Sequence, residues 1–280
     1  MKQKAVIVAL IAALLSVCLL AGCGDWTVTS VDLDKKLSEC DTNKKSQTVT
    51  DGARVTIVAD VYQVVIEQCD VEEINVDYVD LATFTITVEE VDNEFKVNVH
   101  SLEDVSKVNI KPLYLFVRVP TAWNTCTYNV QVSVGKCGFV DVTSPLVTAE
   151  ITSGSISLTK AKVARLDVSV KAGSILFDGD FDSVSANVNV GSVKCSATVS
   201  QSITMIADTG SIDFTLDCPD ITAESNTGSV RGKVKGDKSL YTISSSVNTG
   251  SSNLAPQTGD GNHFLNVKTQ TGSIKVSFEK

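Results

Sequence analysis

Two histidines are the side chains of this 280-residue chain best suited to general acid–base chemistry near neutral pH. His100 lies in a run of alternating apolar and polar residues typical of a strand, and His263 lies in a loop-like segment before Phe264. No serine, histidine and aspartate can be grouped into a nucleophilic triad, and no glycine-rich phosphate loop precedes a helix. We therefore expect a protein that is not an enzyme, with no catalytic residue.

The segment Asp178-Gly179-Asp180-Phe181-Asp182 has alternating carboxylates, like the start of a calcium-binding loop. The rest of that pattern is absent, since no distal glutamate follows at the required spacing. A solvated turn is the favoured interpretation. We expect no metal site and no cofactor.

Cysteine is the third residue type that could carry chemistry, and the chain has eight. No C-x-x-C or Cys/His spacing predicts a zinc site. In an exported chain, six of them could form disulfides in 15 pairings among which the sequence does not choose. Those six are Cys40, Cys69, Cys126, Cys137, Cys195 and Cys218.

The N-terminus has the pattern of a targeting segment. Lys2 and Lys4 form a basic start, and an apolar stretch from Ala5 to Leu20 comes next. The sequence Leu20-Ala21-Gly22-Cys23 resembles the bacterial lipobox. That resemblance implies a signal peptide over residues 1–22, cleavage before Cys23, and acyl chains such as palmitate on Cys23. The alternative is a plain secretory signal with a cysteine there by chance.

A lipidated Cys23 predicts an extracytoplasmic protein that is held on a bacterial membrane by its N-terminus. Residues 23–48 are polar and are expected to form a tether, with a short first strand over 27–33 as the alternative. The chain carries a net charge of −9, which becomes −11 without Lys2 and Lys4, from 22 basic and 33 acidic residues. This acidity argues against nucleic acid as a partner.

Residues 49–130 predict a β-rich and irregular N-terminal part of the domain. Short runs alternate in hydrophobicity and are separated by Asp, Asn and Glu. The expected strands are 55–58, 61–66, 74–78, 84–88, 95–99 and 113–119. This part is expected to close the N-terminal end of the repeats in residues 131–280.

Residues 131–280 repeat a Thr-Gly-Ser-Ile motif. The corner glycines stand 19, 18, 19, 18, 22 and 22 residues apart, and Gly135 lies another 19 residues upstream. A period this regular indicates a repeat architecture. The turn glycines, expected to be structural, are Gly154, Gly173, Gly191, Gly210, Gly228, Gly250 and Gly272.

Counting from each glycine yields apolar columns at seven, five and three residues before it and at two and four after it. The step of five from Ile151 to Ile156 is odd, so the glycine turn must reverse which face of the strand points inward. Identical columns favour pairing of each strand, in register, with its copy in the next unit along the chain. This pairing predicts an all-β fold, a parallel β-solenoid of about eight two-strand rungs of ~19 residues. The same columns place Cys137 and Cys195 in the core. Two enlarged loops, 235–238 and 257–262, are the expected sites of recognition.

These repeats, together with the N-terminal strands that end at Val119-Pro120, resemble the DUF4097 family of adhesin-like proteins over roughly residues 50–280. The resemblance implies a β-solenoid at the bacterial surface or envelope, in some members linked to envelope stress, and it supplies no catalytic residues. We therefore expect a non-catalytic binding or scaffolding protein. Its expected partners are the membrane through the lipid and a cell-wall glycan, an envelope protein or itself. The alternatives are a polysaccharide-active enzyme and a purely structural spacer.

Overall fold

The computed structural model describes residues 42–47, 50–79, 83–102 and 113–279. The predicted signal peptide, Cys23, Cys40 and the alternative strand at 27–33 lie outside these ranges. Within the described ranges, no helix is long and apolar enough to cross a membrane.

The described residues form an all-β fold, as predicted, with a short 3₁₀ turn at Lys238–Leu240. Alternating Val, Ile and Thr, with few prolines, favour strands over helices throughout. The strands are β1 (Thr42–Gln47), β2 (Arg54–Cys69), β3 (Ile74–Val79), β4 (Phe84–Val91), β5 (Glu94–Ser101), β6 (Tyr114–Pro120), β7 (Thr127–Val140), β8 (Thr143–Asp217), β9 (Asp220–Thr227), β10 (Val230–Lys235), β11 (Tyr241–Ser252) and β12 (His263–Glu279).

Parallel strands pair with the glycines of successive copies aligned, and this pairing builds a solenoid-like sheet. β7 pairs with β8 so that Gly135 stands opposite Gly154, and the 75-residue β8 then winds through further glycine corners. β2 pairs with β7 in the same register and places Tyr62 opposite Gly135. The predicted parallel stacking is thus present, and it begins earlier in the chain than the glycine motif. The predicted count of eight rungs stays a prediction.

The N-terminal part of the domain does more than close the end of the repeats, because its strands continue into the same stack. β7 runs across the predicted boundary at residue 131, and β2 lies inside the parallel stack. The expected strands of this part are all present. β4 and β5 form an antiparallel hairpin, with Asp92 and Asn93 at positive φ in its turn. β1 lies inside the predicted tether 23–48 and pairs with β3, so that segment is not all tether.

The C-terminal strands do not stack in chain order. β12 pairs with β9 and β10 on one side and with β11 on the other. The rung of Gly272 therefore lies between those of Gly228 and Gly250, and β11 forms the edge of the sheet. Stacking in sequence order, as the repeat pattern predicts, fails here. The chain passes over one rung position and then returns to fill it, which explains the longer 22-residue spacing of the last two units.

The core consists of the predicted inward columns. Ile151 and Ile156 flank the Gly154 corner and are both fully buried, which confirms the reversal of strand parity at the glycine. Leu166 in the next unit is also fully buried. Because each rung can cover its inward aliphatic side chains only with the rungs above and below, stacking supplies most of the stability.

The edge rung has polar residues where the other rungs have aliphatic ones. Ser245 and Ser252 occupy inward columns of β11, and their hydroxyls lie 2.8 Å apart. After Ser252 a side chain replaces the backbone in bonding to β12. The side-chain amide of Asn253 donates to the carbonyl of Val276 and accepts from the N–H of Val276, both at 2.9 Å. These polar groups end the stack without exposing an aliphatic face.

Candidate binding surface at the glycine corner

Each turn glycine lies at a corner where only glycine fits. The φ angles of the seven predicted glycines are all positive, from 138° at Gly250 to 151° at Gly272. A methyl group at Gly191 would lie 1.6 Å from the carbonyl oxygen of Gly173, and the same overlap recurs at every predicted corner glycine. At each corner the backbone of one glycine therefore packs directly on the backbone of the next rung, which leaves no space for a ligand. They have the structural role that the sequence predicts.

A ladder of polar side chains runs along the outside of this corner. The position two residues before each glycine is exposed, and neighbouring rungs join there: the amide of Asn226 donates to Asp208 at 3.2 Å, and that of Asn248 to Gln270 at 3.4 Å. From the Gly154 rung to the edge of the sheet these residues, hereafter the corner ladder, are Thr152, Lys171, Asn189, Asp208, Asn226, Gln270 and Asn248.

A row of serines lies on the other side of the glycines, one residue after each. It is half-buried in the interior rungs, and Ser229 and Ser273 approach within 3.2 Å across adjacent rungs. Hydroxyls and amides that repeat at the rung spacing of ~4.8 Å offer hydrogen-bond donors and acceptors in a linear array. Such an array can bind an extended polar chain. It has no group that could serve as a nucleophile paired with a base.

The two enlarged loops lie in contact with each other. The side-chain amide of Gln257 donates to the carbonyls of Lys238 (2.8 Å) and Tyr241 (3.1 Å), and the N–H of Asp260 donates to the carbonyl of Ser239 (2.8 Å). The cause is the inserted β12, since both loops must cross the same position of the stack. The sequence predicted that the two loops lie on one edge, and the structure brings them into direct contact as one surface.

A cavity of about 350 Å³ adjoins these loops, and the sequence did not predict it. Cys218, Tyr241 and His263 are among its lining residues. The Tyr241 hydroxyl donates to the Cys218 carbonyl at 2.7 Å, and the Cys218 thiol lies 3.2 Å from the Asp220 carbonyl. Burial raises the pKa of Cys218 to about 12 and that of Tyr241 to about 12. Both groups are therefore neutral at physiological pH, and the thiol is not an activated nucleophile.

The two histidines are not brought together. His100 lies in β5 near one end of the stack, with its Nδ1 atom 3.5 Å from the Asp60 carboxylate. His263 lies in β12 near the other end, its ring packed edge-on against Tyr241, and its Nδ1 atom is buried without a hydrogen-bond partner. They form no shared site.

The Asp178–Asp182 segment lies within β8 and is not the predicted turn; the chain bends at Gly179, whose φ is 135°, and two of the carboxylates bind protein groups of neighbouring rungs. Asp178 accepts the N–H of Lys160 at 2.7 Å, and Asp182 accepts the hydroxyl of Ser200 at 2.8 Å. A methyl group on Gly179 would lie 2.0 Å from the carbonyl oxygen of Ala161, so this glycine also serves close stacking. In the described parts of the chain, no three Cys, His, Asp or Glu side chains are grouped to hold a metal ion.

Cys126, Cys137, Cys195 and Cys218 are free thiols, and Cys40 lies outside the described ranges. Cys137 and Cys195 are buried in the core, as the repeat columns predict. Burial raises the pKa of both thiols, which therefore behave as small apolar side chains. The Cys195 sulfur lies 3.7 Å from that of Met205. No two cysteines of the described ranges form a disulfide with each other.

The sequence matches no known protein family, and no curated protein matches it. The resemblance to DUF4097 is therefore a prediction from the motifs alone.

Solved structures with similarity along most of the chain do exist. A putative adhesin from Bacteroides fragilis NCTC 9343 shares 16% identity with a TM-score of 0.39, covering 85% of this chain and 97% of that one. A putative cell adhesion protein from Clostridium sporogenes ATCC 15579 shares 12% (TM-score 0.31), covering 85% and 100%. A putative adhesin from Parabacteroides distasonis ATCC 8503 shares 12% (TM-score 0.35), covering 85% and 98%. Similarity this remote assigns no function.

Proposed function

We propose that this protein is a lipid-anchored protein of the bacterial surface or envelope that binds an extended polar polymer, such as a cell-wall glycan, without turning it over. The corner ladder is the observation that carries the proposal. Its side chains, which are four amides, one hydroxyl, one carboxylate and one ammonium group, stand at the rung spacing along one corner of the sheet, where they can hydrogen-bond successive units of a polymer.

The corner ladder suits a neutral, hydroxyl-rich ligand better than an anion. Asn189, Asp208 and Asn226 are exposed on consecutive rungs, and the single negative charge of the ladder, on Asp208, is balanced by the single positive charge, on Lys171. The chain as a whole carries a net charge of −9. A polyanion would therefore be a poor partner, and a glycan with neutral sugars a good one.

Membrane attachment is the second part of the proposal. Acyl chains on Cys23 would hold the protein on the membrane, and the polar segment after Cys23 would hold the sheet away from the lipid surface. A link to envelope stress, which the family resemblance implies, remains a prediction of that resemblance.

Binding is tested by co-sedimentation of the full-length protein with insoluble cell-wall material. We expect the wild type to sediment with the wall and the Asn189→Ala/Asp208→Ala/Asn226→Ala variant to remain in the supernatant. The matched control is Ser196→Ala/Thr215→Ala/Ser277→Ala, on outward positions of the second strand of the rungs, which should bind like the wild type. Equal sedimentation of both variants would contradict a role of the corner ladder. Release of soluble sugar from the wall would indicate an enzyme.

Anchoring is tested separately by labelling a bacterial expression host with radioactive palmitate. We expect label in the wild type and in Cys40→Ser, and none in Cys23→Ser. The Cys23→Ser protein should also leave the washed membrane fraction. Label that persists in Cys23→Ser would show that Cys23 is not the lipidated residue.

A further inference from the structure

The edge strand β11 exposes an unpaired backbone along most of its length. It is the last strand of the stack and pairs only with β12 within the described ranges. Its outer side meets protein only at its start, where Ile243 and Gln257 exchange N–H to carbonyl hydrogen bonds of 2.9 and 3.2 Å in an antiparallel bridge and the Gln257 side-chain amide donates to the Tyr241 carbonyl. Beyond Ile243, no backbone hydrogen bond from the described residues reaches this outer side.

The backbone groups that face this edge can be identified. Successive residues of a strand direct their N–H and carbonyl groups to opposite sides. Because Ile243 uses both of these groups toward Gln257, those of Ser245 and Val247 face the same open side. The Ser245 and Val247 side chains are half-buried, whereas Ser246 between them is exposed.

β11 lacks the features that keep edge strands apart. Natural sheets protect their edges with charged residues, especially lysine, with proline, or with covering segments. Among the described strands, β11 alone contains no Asp, Glu, Lys or Arg, and it contains no proline. At the opposite end of the sheet, the edge strand β1 carries Lys44 and Lys45. The edge strand β4, which pairs only with β5, carries Glu89 and Glu90, so of these edges only β11 is free of charge.

We propose that β11 is a self-association edge, at which a second copy of this chain pairs its own β11 antiparallel across a two-fold axis near Ser246. Such an axis sets the open backbone groups of Ser245 opposite those of Val247 in the second copy. The bridge from Gln257 to Ile243 already shows that this edge takes an antiparallel partner.

Charge and polarity favour a second copy over an unrelated strand. The chain carries a net charge of −9, so two copies repel each other over most of their surfaces. The segment from Tyr241 to Gln257 carries no charged residue and removes that repulsion locally. The exposed Ser and Thr side chains are types that form cross-strand hydrogen bonds with their own kind. This pairing joins two stacks end to end and leaves the corner ladder of each exposed, so it is independent of glycan binding.

The test is sedimentation equilibrium of the full-length protein in density-matched detergent. We expect a dimer at micromolar concentration for the wild type. Ser246→Lys places two like charges opposite each other and should raise the dimer dissociation constant at least about tenfold. Val247→Pro, which removes an open N–H, should weaken the dimer similarly.

The control is Ser169→Lys, which adds the same charge at the equivalent position of an interior rung and should leave the dimer intact. Thermal melts of Ser246→Lys and Ser169→Lys should match each other, because both side chains point outward. Val247 packs against the core, so Val247→Pro should melt at a lower temperature but remain folded at the temperature of the sedimentation run. A wild type that is monomeric at these concentrations overturns the proposal. The proposal is also overturned if the Ser246→Lys and Val247→Pro variants dimerise as strongly as the Ser169→Lys variant, because the association surface would then lie elsewhere.

Discussion

The hydroxyl oxygens of Ser229 and Ser273 lie 3.2 Å apart, although 44 residues separate them in the chain. Ser251, halfway between them, occupies the same column of the repeat but lies one rung further out, opposite Ser273. Lys268 and Glu224 repeat this relationship with a 2.8 Å ion pair, also 44 residues apart. The final strand of the chain is therefore inserted between two earlier ones.

The inserted position of β12 predicts which cysteine pairs can be cross-linked. The Ser229→Cys/Ser273→Cys variant should form a disulfide on mild oxidation, because the two side chains already touch. The Ser229→Cys/Ser251→Cys variant should not, since a whole rung separates those positions. Non-reducing peptide mass spectrometry distinguishes the two variants, and the buried thiols Cys126, Cys137, Cys195 and Cys218 should stay unlinked. A 229–251 cross-link would mean stacking in chain order.

Corner glycines should tolerate no side chain. Gly191→Ala places a methyl group 1.6 Å from the Gly173 carbonyl oxygen and should cost about 4 kcal/mol or more of unfolding free energy, or prevent folding. Gly236→Ala is the matched control. Gly236 also has a positive φ, 127°, but nothing lies within 4 Å of the added methyl, so only the backbone cost of about 1–2 kcal/mol applies. Urea denaturation of both variants measures the difference, and equal losses would refute close stacking at the corner.

The inward columns can be tested by introducing charge. Leu166 is fully buried, so Leu166→Lys would bury an unpaired ammonium group and should unfold the sheet. Ser169→Lys, three residues further on and directed outward, should be tolerated. Thermal melts followed by circular dichroism compare the two. Similar melting temperatures would show that the columns are wrongly assigned.

The buried thiols predict a loss of stability in base. Burial raises the pKa of Cys137 and Cys195 above their ordinary value of 9.0, so the folded state keeps protons that the unfolded state releases above pH 9. Their contribution is therefore complete below pH 9 and falls as the pH rises, by up to about 1.4 kcal/mol per pH unit for each thiol.

This pH dependence has a direct control in Cys137→Val/Cys195→Val, which keeps small apolar side chains in the core. The free energy of unfolding, measured in urea from pH 7 to pH 10, should decline less steeply above pH 9 for this variant than for the wild type. Identical slopes would show that the two thiols do not titrate on unfolding.

Much of the fold could be predicted from the sequence because the repeats are local. Alternation around each glycine predicted the inward columns, the parity reversal between Ile151 and Ile156, and the buried states of Cys137 and Cys195, all of which the structure confirms. Each of these depends on residues within one rung or on identical neighbours. The outward polar positions of the corner ladder could be read from the same columns.

The order of the last rungs depended on the tertiary structure. A parallel strand pairs equally well with any copy of itself, so a period alone does not say which copies are adjacent. The sequence did contain a signal: Ser245 and Ser252 are polar in inward columns, whereas Val267 and Ile274 of the final unit are aliphatic. Since the polar unit belongs at the end of the stack, the last unit had to lie inside it.

The sequence by itself determined the β-structure, the glycine corners and the faces of the strands, because those depend on side-chain alternation and on glycine's freedom at positive φ. Only the tertiary structure decided that β2 belongs to the parallel stack, that β12 is inserted, and that the two enlarged loops meet. The physical reason is the same in each case. Burial of aliphatic columns and pairing of backbone groups are satisfied over the whole stack, and the most stable arrangement of the ends is a property of all the rungs together.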